Sequence, residues 1–367
     1  LLPPEVVEKL WLILLFWLCG IGAFHLPYLH GKGRYYAGVL YTVNPFTYTR
    51  FVAGQWGILG SYALIPFAAT SFIRMLEEPK PRHAVRTVFF LTAIAFLQVH
   101  GLLIALLAMA ILYLSQVAVV RGTLKKSASM MLLTSLLFLG TNAFWMVRYA
   151  TAGGGSILNM PVTELRFFAA SPPVDVVSLR GFWLKAPYMD ISNIIPVWWV
   201  FFLPIVGLAV YGAFKTMDTS SVRWLGLAMV ILTLAGILLA VGPGLAVTQG
   251  VFNALWERVP IYRAFRDSHK FVALLALAYA YLGALGLQSL SNPAQQPGAK
   301  AKHLGTLVGV VALTVPFIYT LTIFGTWGQL QPSSYPQDWL QARSILDADK
   351  SDFNLLVLPW HMYMDFQ

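Results

Sequence analysis

Eight runs of this sequence are apolar over roughly the 20 residues that a helix needs to cross the hydrocarbon core of a bilayer. They span residues 10–28, 56–73, 101–120, 128–148, 195–214, 223–242, 270–289 and 304–325. Two shorter runs, 34–46 and 86–99, complete the set, although each would cover only about 20 Å as a helix. The pattern predicts an all-α polytopic membrane protein with about ten transmembrane helices.

The composition agrees with lipid as the solvent of most of the chain. Hydrophobic residues make up 58% of it and Asp, Glu, Lys and Arg only 11%, whereas ordinary globular domains have about 45–50% and about 25%. So few charges could not cover a surface in water, and the mean hydropathy of +0.68 indicates the same. The single cysteine, Cys19, lies in an apolar run, which excludes a disulfide framework within the chain.

The charged residues predict an orientation, because short cytoplasmic loops collect Lys and Arg. With the N-terminus outside, the inside loops hold 13 of the 25 basic residues and only three of the 15 acidic ones. These loops are 29–34, 74–86, 121–127, 215–223 and 291–303. The net charge of +10 therefore lies on one face. We expect a multi-pass protein of the plasma membrane with both termini extracytoplasmic, and no nucleic-acid partner because the charges are scattered.

Three longer segments fall outside in this orientation: 149–194, 242–269 and the tail from 326. In the tail, residues 336–346 place Trp339, Ala342, Ile345 and Leu346 at helical spacing, and 353–358 read as a buried strand. We expect a transmembrane domain over 1–325 and the start of an extracytoplasmic α/β or α+β domain over 326–367.

The stretch from 40 to 67 is the most informative. The Asn44-Pro45 step predicts a turn, so polar residues between Thr47 and Gln55, among them Arg50, would lie on irregular backbone at the outer surface. Such backbone is tolerated at membrane depth where it lines a cavity. The alternative is an aromatic interface belt in which Arg50 extends its charge to the headgroups.

A second candidate site is the basic cluster at 263–270. Arg263, Arg266, His269 and Lys270 surround Asp267 at the outer end of the ninth predicted span. If Lys270 lies in the first helical turn, free N–H groups and arginine forks favour a lipid phosphate there. In the alternative, Asp267 pairs with Arg263 or Lys270, and the cluster only contacts anionic headgroups.

The stretch 40–67 resembles a segment of the GT-C superfamily of membrane glycosyltransferases, in particular the branch of arabinofuranosyltransferases and uncharacterised archaeal and bacterial relatives. The shared pattern is a short helix ending in Asn-Pro-Phe, a Tyr/Arg-Phe pair, Gly-Gln-Trp, and a helix closing with Ile-Pro-Phe. RAFRDSHKF at 263–271 and NLLVLPWHMY at 354–363 fit the same branch.

The resemblance implies a GT-C-like fold, a polyprenyl-phosphate-linked sugar as donor, and a glycan or protein acceptor on the outer face. It also implies a catalytic carboxylate in the first external loop. We find no such loop, so we expect a fragment whose base lies upstream, with Glu164, Asp175 and Asp190 as candidate second acids. The residues expected to bind substrate are Asn44, Arg50, Gln55, His100, Arg263, Arg266, His269 and Lys270.

The histidines indicate no metal site. Their spacing does not match zinc motifs. A divalent cation as a cofactor stays open, because the sequence neither indicates nor excludes it. His100 lies between two paired spans, where it either faces an aqueous cavity or caps a tight turn. His361 follows the predicted strand, a position where α/β domains often build sites.

Three functions compete. The first is a glycosyltransferase that holds the donor phosphate in the basic cluster. The second is a lipid-linked sugar flippase or transporter. The predicted spans contain no Asp or Glu, which disfavours an ion-coupled carrier but not an uncoupled flippase. The third is a non-catalytic scaffold for envelope assembly.

The orientation can be tested with single cysteines. In a Cys19→Ala background, Lys80→Cys should resist an impermeant thiol reagent in intact cells, whereas Ser156→Cys and Ser333→Cys should react, because Lys80 lies in a predicted inside loop. Equal labelling at position 80 would overturn the orientation.

Overall fold

A computed structural model describes residues 2–151, 161–168, 172–183, 190–291, 299–325, 328 and 336–355. These residues contain α-helices, short 3₁₀ turns and no strand. The helices are α1 Pro4–Phe24, α2 Gly31–Thr42, α3 Pro45–Val52, α4 Trp56–Glu77, α5 Pro81–Leu97, α6 Val99–Val119, α7 Thr123–Thr151, α8 Val162–Phe168, α9 Pro173–Val177, α10 Trp198–Asp218, α11 Arg223–Val241, α12 Ala246–Arg258, α13 Val272–Leu290, α14 Ala299–Tyr319 and α15 Gln337–Ala348.

The helical, multi-pass character is confirmed. Seven stretches of the described chain are long and apolar enough to cross a membrane: Glu5–Phe24, Trp56–Glu77, Val99–Val119, Thr123–Thr151, Trp198–Asp218, Arg223–Gly244 and Ser268–Leu290. The other three predicted spans are also helices but shorter. α2 has 12 residues and α5 has 17, while the apolar part of α14 is Gly305–Tyr319.

The chain divides into two compact units, Leu1–Thr326 and Trp327–Gln367. In the second unit the predicted helix is present as α15, which buries none of its residues. Residues 353–355 do not form a strand, while 356–358 and His361 lie outside the described residues. The predicted α/β or α+β domain is therefore not supported, because the described part of this unit is one helix and its flanks.

The predicted irregular backbone after Asn44 is wrong for residues 45–52, which form α3. Asn44 and Thr47 make a capping box, in which each side chain bonds the backbone N–H of the other residue. Pro45 occupies the first turn, where its missing N–H costs nothing. The Asn-Pro step thus starts a helix here.

Contacts at one end of the bundle bring several predicted inside loops together. Tyr28 donates a hydrogen bond to Glu77, whose backbone carbonyl accepts from Lys126 at 2.8 Å. The His30 backbone N–H donates to Gln288 on α13 at 2.7 Å. We call this the basic end, and the opposite end, where α3 and the start of α13 lie, the site end. Which side of the membrane each end faces stays a prediction.

The centre of the bundle is α13, which is almost wholly buried and packs against α2, α10 and α11. Glycines allow its backbone to touch that of α10. A Cβ atom on Gly212 would lie 1.8 Å from the carbonyl oxygen of Leu282, and one on Gly286 would lie 2.4 Å from that of Leu208. Small residues at such crossings let membrane helices pack by close backbone contact.

This contact predicts different outcomes for two glycines of α10. Gly212→Ala should lower the thermal midpoint in detergent, because overpacking against backbone costs about 1–3 kcal/mol. Gly207→Ala is the matched control, since its Cβ would enter open space and alanine favours a helix. Equal midpoints for the two variants would contradict the close packing of α10 on α13.

Candidate functional site

An ion pair buried at the site end joins Arg50 of α3 to Asp267, which precedes α13. The Arg50 Nη1 atom lies 2.6 Å from Asp267 Oδ2, and the two side chains are 0% and 5% exposed. Arg50 also donates to Gln55 Oε1 at 2.5 Å and to His269 Nδ1 at 3.0 Å. An arginine so enclosed cannot extend its charge to lipid headgroups, and the interface-belt reading of Arg50 is wrong.

Aromatic rings complete the enclosure of Arg50. Its guanidinium carbon lies 5.2 Å from the centre of the Phe46 ring and 4.9 Å from that of Phe182, distances at which a cation is attracted to a ring. Among the described residues the Arg50 Nε atom has no hydrogen-bond partner. The hydrogen bonds of Arg50 to the described residues therefore come from its Nη atoms.

Asn44 fixes the position of Arg50 from the other end of α3. Its side-chain amide donates to the Leu40 and Tyr41 carbonyls at 2.9 and 3.0 Å and to the Tyr62 hydroxyl at 3.3 Å. Tyr41 and Tyr62 stack, and each hydroxyl donates to the carbonyl of the other residue. Asn44 is completely buried, so this geometry gives it a structural role, and substrate binding by Asn44 stays a prediction without support here.

Asp267 lies between two 3₁₀ turns, Pro260–Phe265 and Ser268–Phe271. The Ser268 hydroxyl donates to the Ala240 carbonyl at 2.7 Å and so fixes the second turn to α11. Burial alone would raise the pKa of Asp267, but the charges of Arg50 and Lys270 outweigh it and lower that pKa to about 2. Asp267 is therefore a stable anion and a weak base.

His269 joins this pair to the segment that follows α9. Its Nδ1 atom accepts from Arg50, which can only donate, while its Nε2 atom lies 2.8 Å from the carbonyl oxygen of Arg180, which can only accept. The bonds therefore require a neutral imidazole with the proton on Nε2. His269 is 1% exposed, so this imidazole is an internal bridge.

Arg180 is the residue of this network that the sequence analysis missed. Its guanidinium lies 2.5 Å from both Asp175 and Asp190 and stands 3.8 Å from the centre of the Trp198 ring. The two candidate second acids are thus partners of one arginine. The spacing of Asp175, Arg180 and Asp190 within the segment predicted to be external was the available signal. The side chain of the third candidate, Glu164, lies outside the described residues.

The four cations expected at 263–270 do not form one cluster. Arg263 donates to the Trp256 and Glu257 carbonyls at 2.8 and 3.2 Å. Arg266 is exposed, with its guanidinium 4.7 Å from the centre of the Phe168 ring. The alternative pairing of Asp267 with Arg263 or Lys270 is not found in the described residues either, since the ion pair of Asp267 is with Arg50. Sequence proximity was misleading because α3 brings a distant guanidinium to the carboxylate.

Lys270 is a buried cation with few polar partners among the described residues. It is 8% exposed, interacts electrostatically with Asp267, and its side chain makes no hydrogen bond to the described residues. It lies in the 3₁₀ turn that precedes α13, so the condition that it occupies the first turn of that α-helix is not met. Arg50 and Lys270 together bring two positive charges to one carboxylate.

His100 lies beside this region at the start of α6. Its Nδ1 atom is 2.8 Å from the Gln98 side-chain amide nitrogen, and its ring packs edge-on against Phe265 at 5.4 Å. These contacts bring His100 to the segment that carries Asp267, and its substrate-binding role stays a prediction. Within the part of the chain that the structure describes, no three His, Cys, Asp or Glu residues are grouped to hold a metal ion.

Comparison with known proteins does not assign the chain to a family. No protein-family model, curated protein or solved structure matches the chain. The GT-C resemblance therefore remains an expectation based on the short motifs.

The buried pair predicts a non-additive effect on stability. Asp267→Leu should lower stability by about 3–5 kcal/mol, because it leaves the Arg50 charge buried without its carboxylate. The double variant Arg50→Met, Asp267→Leu should be more stable than Asp267→Leu alone, and thermal unfolding in detergent measures both.

The control for this prediction is Glu78→Gln, which removes a carboxylate 2.7 Å from Lys80 in an exposed pair. Its midpoint should not change, because solvent screens exposed pairs. Additive effects in the double variant would show that Arg50 and Asp267 do not depend on each other.

Proposed function

We propose that the chain is a membrane glycosyltransferase that takes its sugar from a polyprenyl-phosphate-linked donor. The observation that carries the proposal is the surplus positive charge at the site end. Arg50 neutralises Asp267 at 2.6 Å, so the positive charge of Lys270 has no ion-pair partner among the described residues. A phosphate group at the membrane surface would supply the missing anion.

In this proposal Lys270 and Arg266 contact the phosphate. The Lys270 ammonium makes no hydrogen bond to the described residues, and Arg266, four residues earlier, is exposed. Arg50, Gln55 and His269 hold Asp267 and the turn in place. Arg263 and His100 border the site. The structural roles follow from the hydrogen bonds that already occupy Arg50, Gln55 and His269.

The proposed reaction exchanges one bond at the sugar. The bond from the anomeric carbon to the phosphate oxygen breaks, and its electron pair leaves with the polyprenyl phosphate. An acceptor hydroxyl oxygen bonds the same carbon and gives its proton to a carboxylate base. Cations placed where charge develops on the leaving phosphate stabilise the transition state. Asp175 and Asp190, 18% and 27% exposed, stay candidate second acids, since each is already ion-paired with Arg180.

A flippase for the same lipid is the second candidate. Asp and Glu residues of the seven spans lie near their ends, at Glu5, Glu8, Glu77 and Asp218. An ion-coupled carrier generally keeps acids deep in the membrane. The distribution therefore favours an enzyme or an uncoupled flippase, and these two differ in whether the sugar–phosphate bond is cleaved.

The test of phosphate binding compares a polyprenyl phosphate with the neutral polyprenol of the same length. Wild-type protein in detergent should bind the phosphate more tightly, as measured by native mass spectrometry. Lys270→Gln and Arg266→Ala should each weaken phosphate binding by about 1.5–3 kcal/mol, the range for hydrogen bonds to charged groups. Lys125→Gln at the basic end is the control, because it removes an exposed charge without touching the site.

Proteoliposomes then separate the two candidate functions. With a polyprenyl-phosphate sugar and an envelope extract as acceptor, a glycosyltransferase releases free polyprenyl phosphate, and Lys270→Gln should reduce that release. Movement of the intact donor across the bilayer without release would favour the flippase. Equal binding of phosphate and polyprenol would contradict both.

A further inference from the structure

The backbone beside Arg180 has a conformation that needs external support. Leu179 has a φ of 60° and Gly181 a φ of 95°. Glycine adopts such values readily, but the Cβ atom of leucine makes them unfavourable. Residues of this kind persist where surrounding contacts hold them, and they occur often at functional sites.

Contacts from several elements hold this backbone. The Arg180 guanidinium bonds Asp175, Asp190 and the Ser178 hydroxyl, and its side chain is 4% exposed. The Arg180 backbone N–H donates to the Asp175 carbonyl at 2.7 Å. From α14, the Tyr319 hydroxyl donates to the Ser178 carbonyl at 2.6 Å. We call residues 175–181 together with Asp190 the Arg180 clamp.

This backbone shape presents the Arg180 carbonyl to His269 Nε2 at 2.8 Å. The bond matters beyond the clamp because it keeps the proton on Nε2 and leaves Nδ1 free to accept from Arg50. If His269 lost that acceptor and carried its proton on Nδ1 instead, two donors would face each other. Arg50 would then have to move away from His269.

We propose that Arg180 is a positioning residue for the anion site, acting through its backbone carbonyl, His269 and Arg50. When the clamp opens, Arg50 no longer holds Asp267 in place, and Lys270 turns toward Asp267 and away from an incoming anion. The clamp thereby controls whether Lys270 or Arg50 is the cation left for an incoming anion. The effect on ligand binding rests on the proposed function, whereas the effect on local structure does not.

The ligand-free test uses hydrogen–deuterium exchange read by mass spectrometry on the whole protein in detergent. Arg180→Gln should raise exchange both in 172–183 and in 266–272, because the second segment loses its bond from His269 to the clamp. His269→Leu should raise exchange in 266–272, whereas His269→Gln should stay closer to wild type, since its amide offers one donor and one acceptor.

Arg34→Gln is the matched control, because Arg34 also donates to a backbone carbonyl, that of Leu29 at 2.6 Å, but at the basic end. It should leave exchange in both segments unchanged. Faster exchange in 172–183 alone for Arg180→Gln would overturn the proposal, since Arg180 would then stabilise only its own segment.

The binding test repeats the measurement with polyprenyl phosphate. Arg180→Gln should weaken binding about tenfold, the effect of losing one charged hydrogen bond, although Arg180 does not contact the lipid. Wild-type protein that binds no polyprenyl phosphate would contradict the proposed function, and the exchange data would still decide the clamp. Wild-type binding that Arg180→Gln leaves unchanged would overturn only the positioning role.

Discussion

The salt bridge between Arg50 and Asp267 determines how the site end can fold. The two residues are 217 positions apart and both are buried in an apolar bundle. Either charge alone would be expensive in that environment, so α3 and the start of α13 must come together. Because apolar residues of similar volume are often at least as stable as a buried ion pair, stability alone does not account for these charges. Their arrangement next to Lys270 fits a site that handles an anion.

The two buried cations of the network, Arg50 and Lys270, differ in how many protein partners they have. The Nη atoms of Arg50 donate hydrogen bonds to Asp267, Gln55 and His269, whereas the Lys270 ammonium donates none to the described residues. Arginine suits the first task, because its planar fork reaches several acceptors at once. A lysine suits the second, because a compact charge on a flexible stem can follow a ligand.

The spanning helices were predictable because a helix that crosses lipid needs a long run of apolar residues. Such a run is visible directly in the sequence. Each of the ten predicted runs falls on a helix, and the helix at 337–348 followed from its periodicity. The pairing of charges was not predictable. Asp267 has Arg263 and Lys270 as sequence neighbours, yet its partner comes from α3. Arg180 escaped notice because its partners, Asp175 in the short α9 and Asp190 after it, were read as separate candidate acids.

The glycine contact between α10 and α13 has a mechanical consequence for how a lipid could enter the bundle. With the Gly212 and Gly286 backbones against carbonyls of the opposite helix, even a methyl group at these two positions would require the helices to move apart. A lateral gate along this seam would therefore have to break the backbone contact at both glycines. Sideways access is easier beside α7, which is largely exposed along its length.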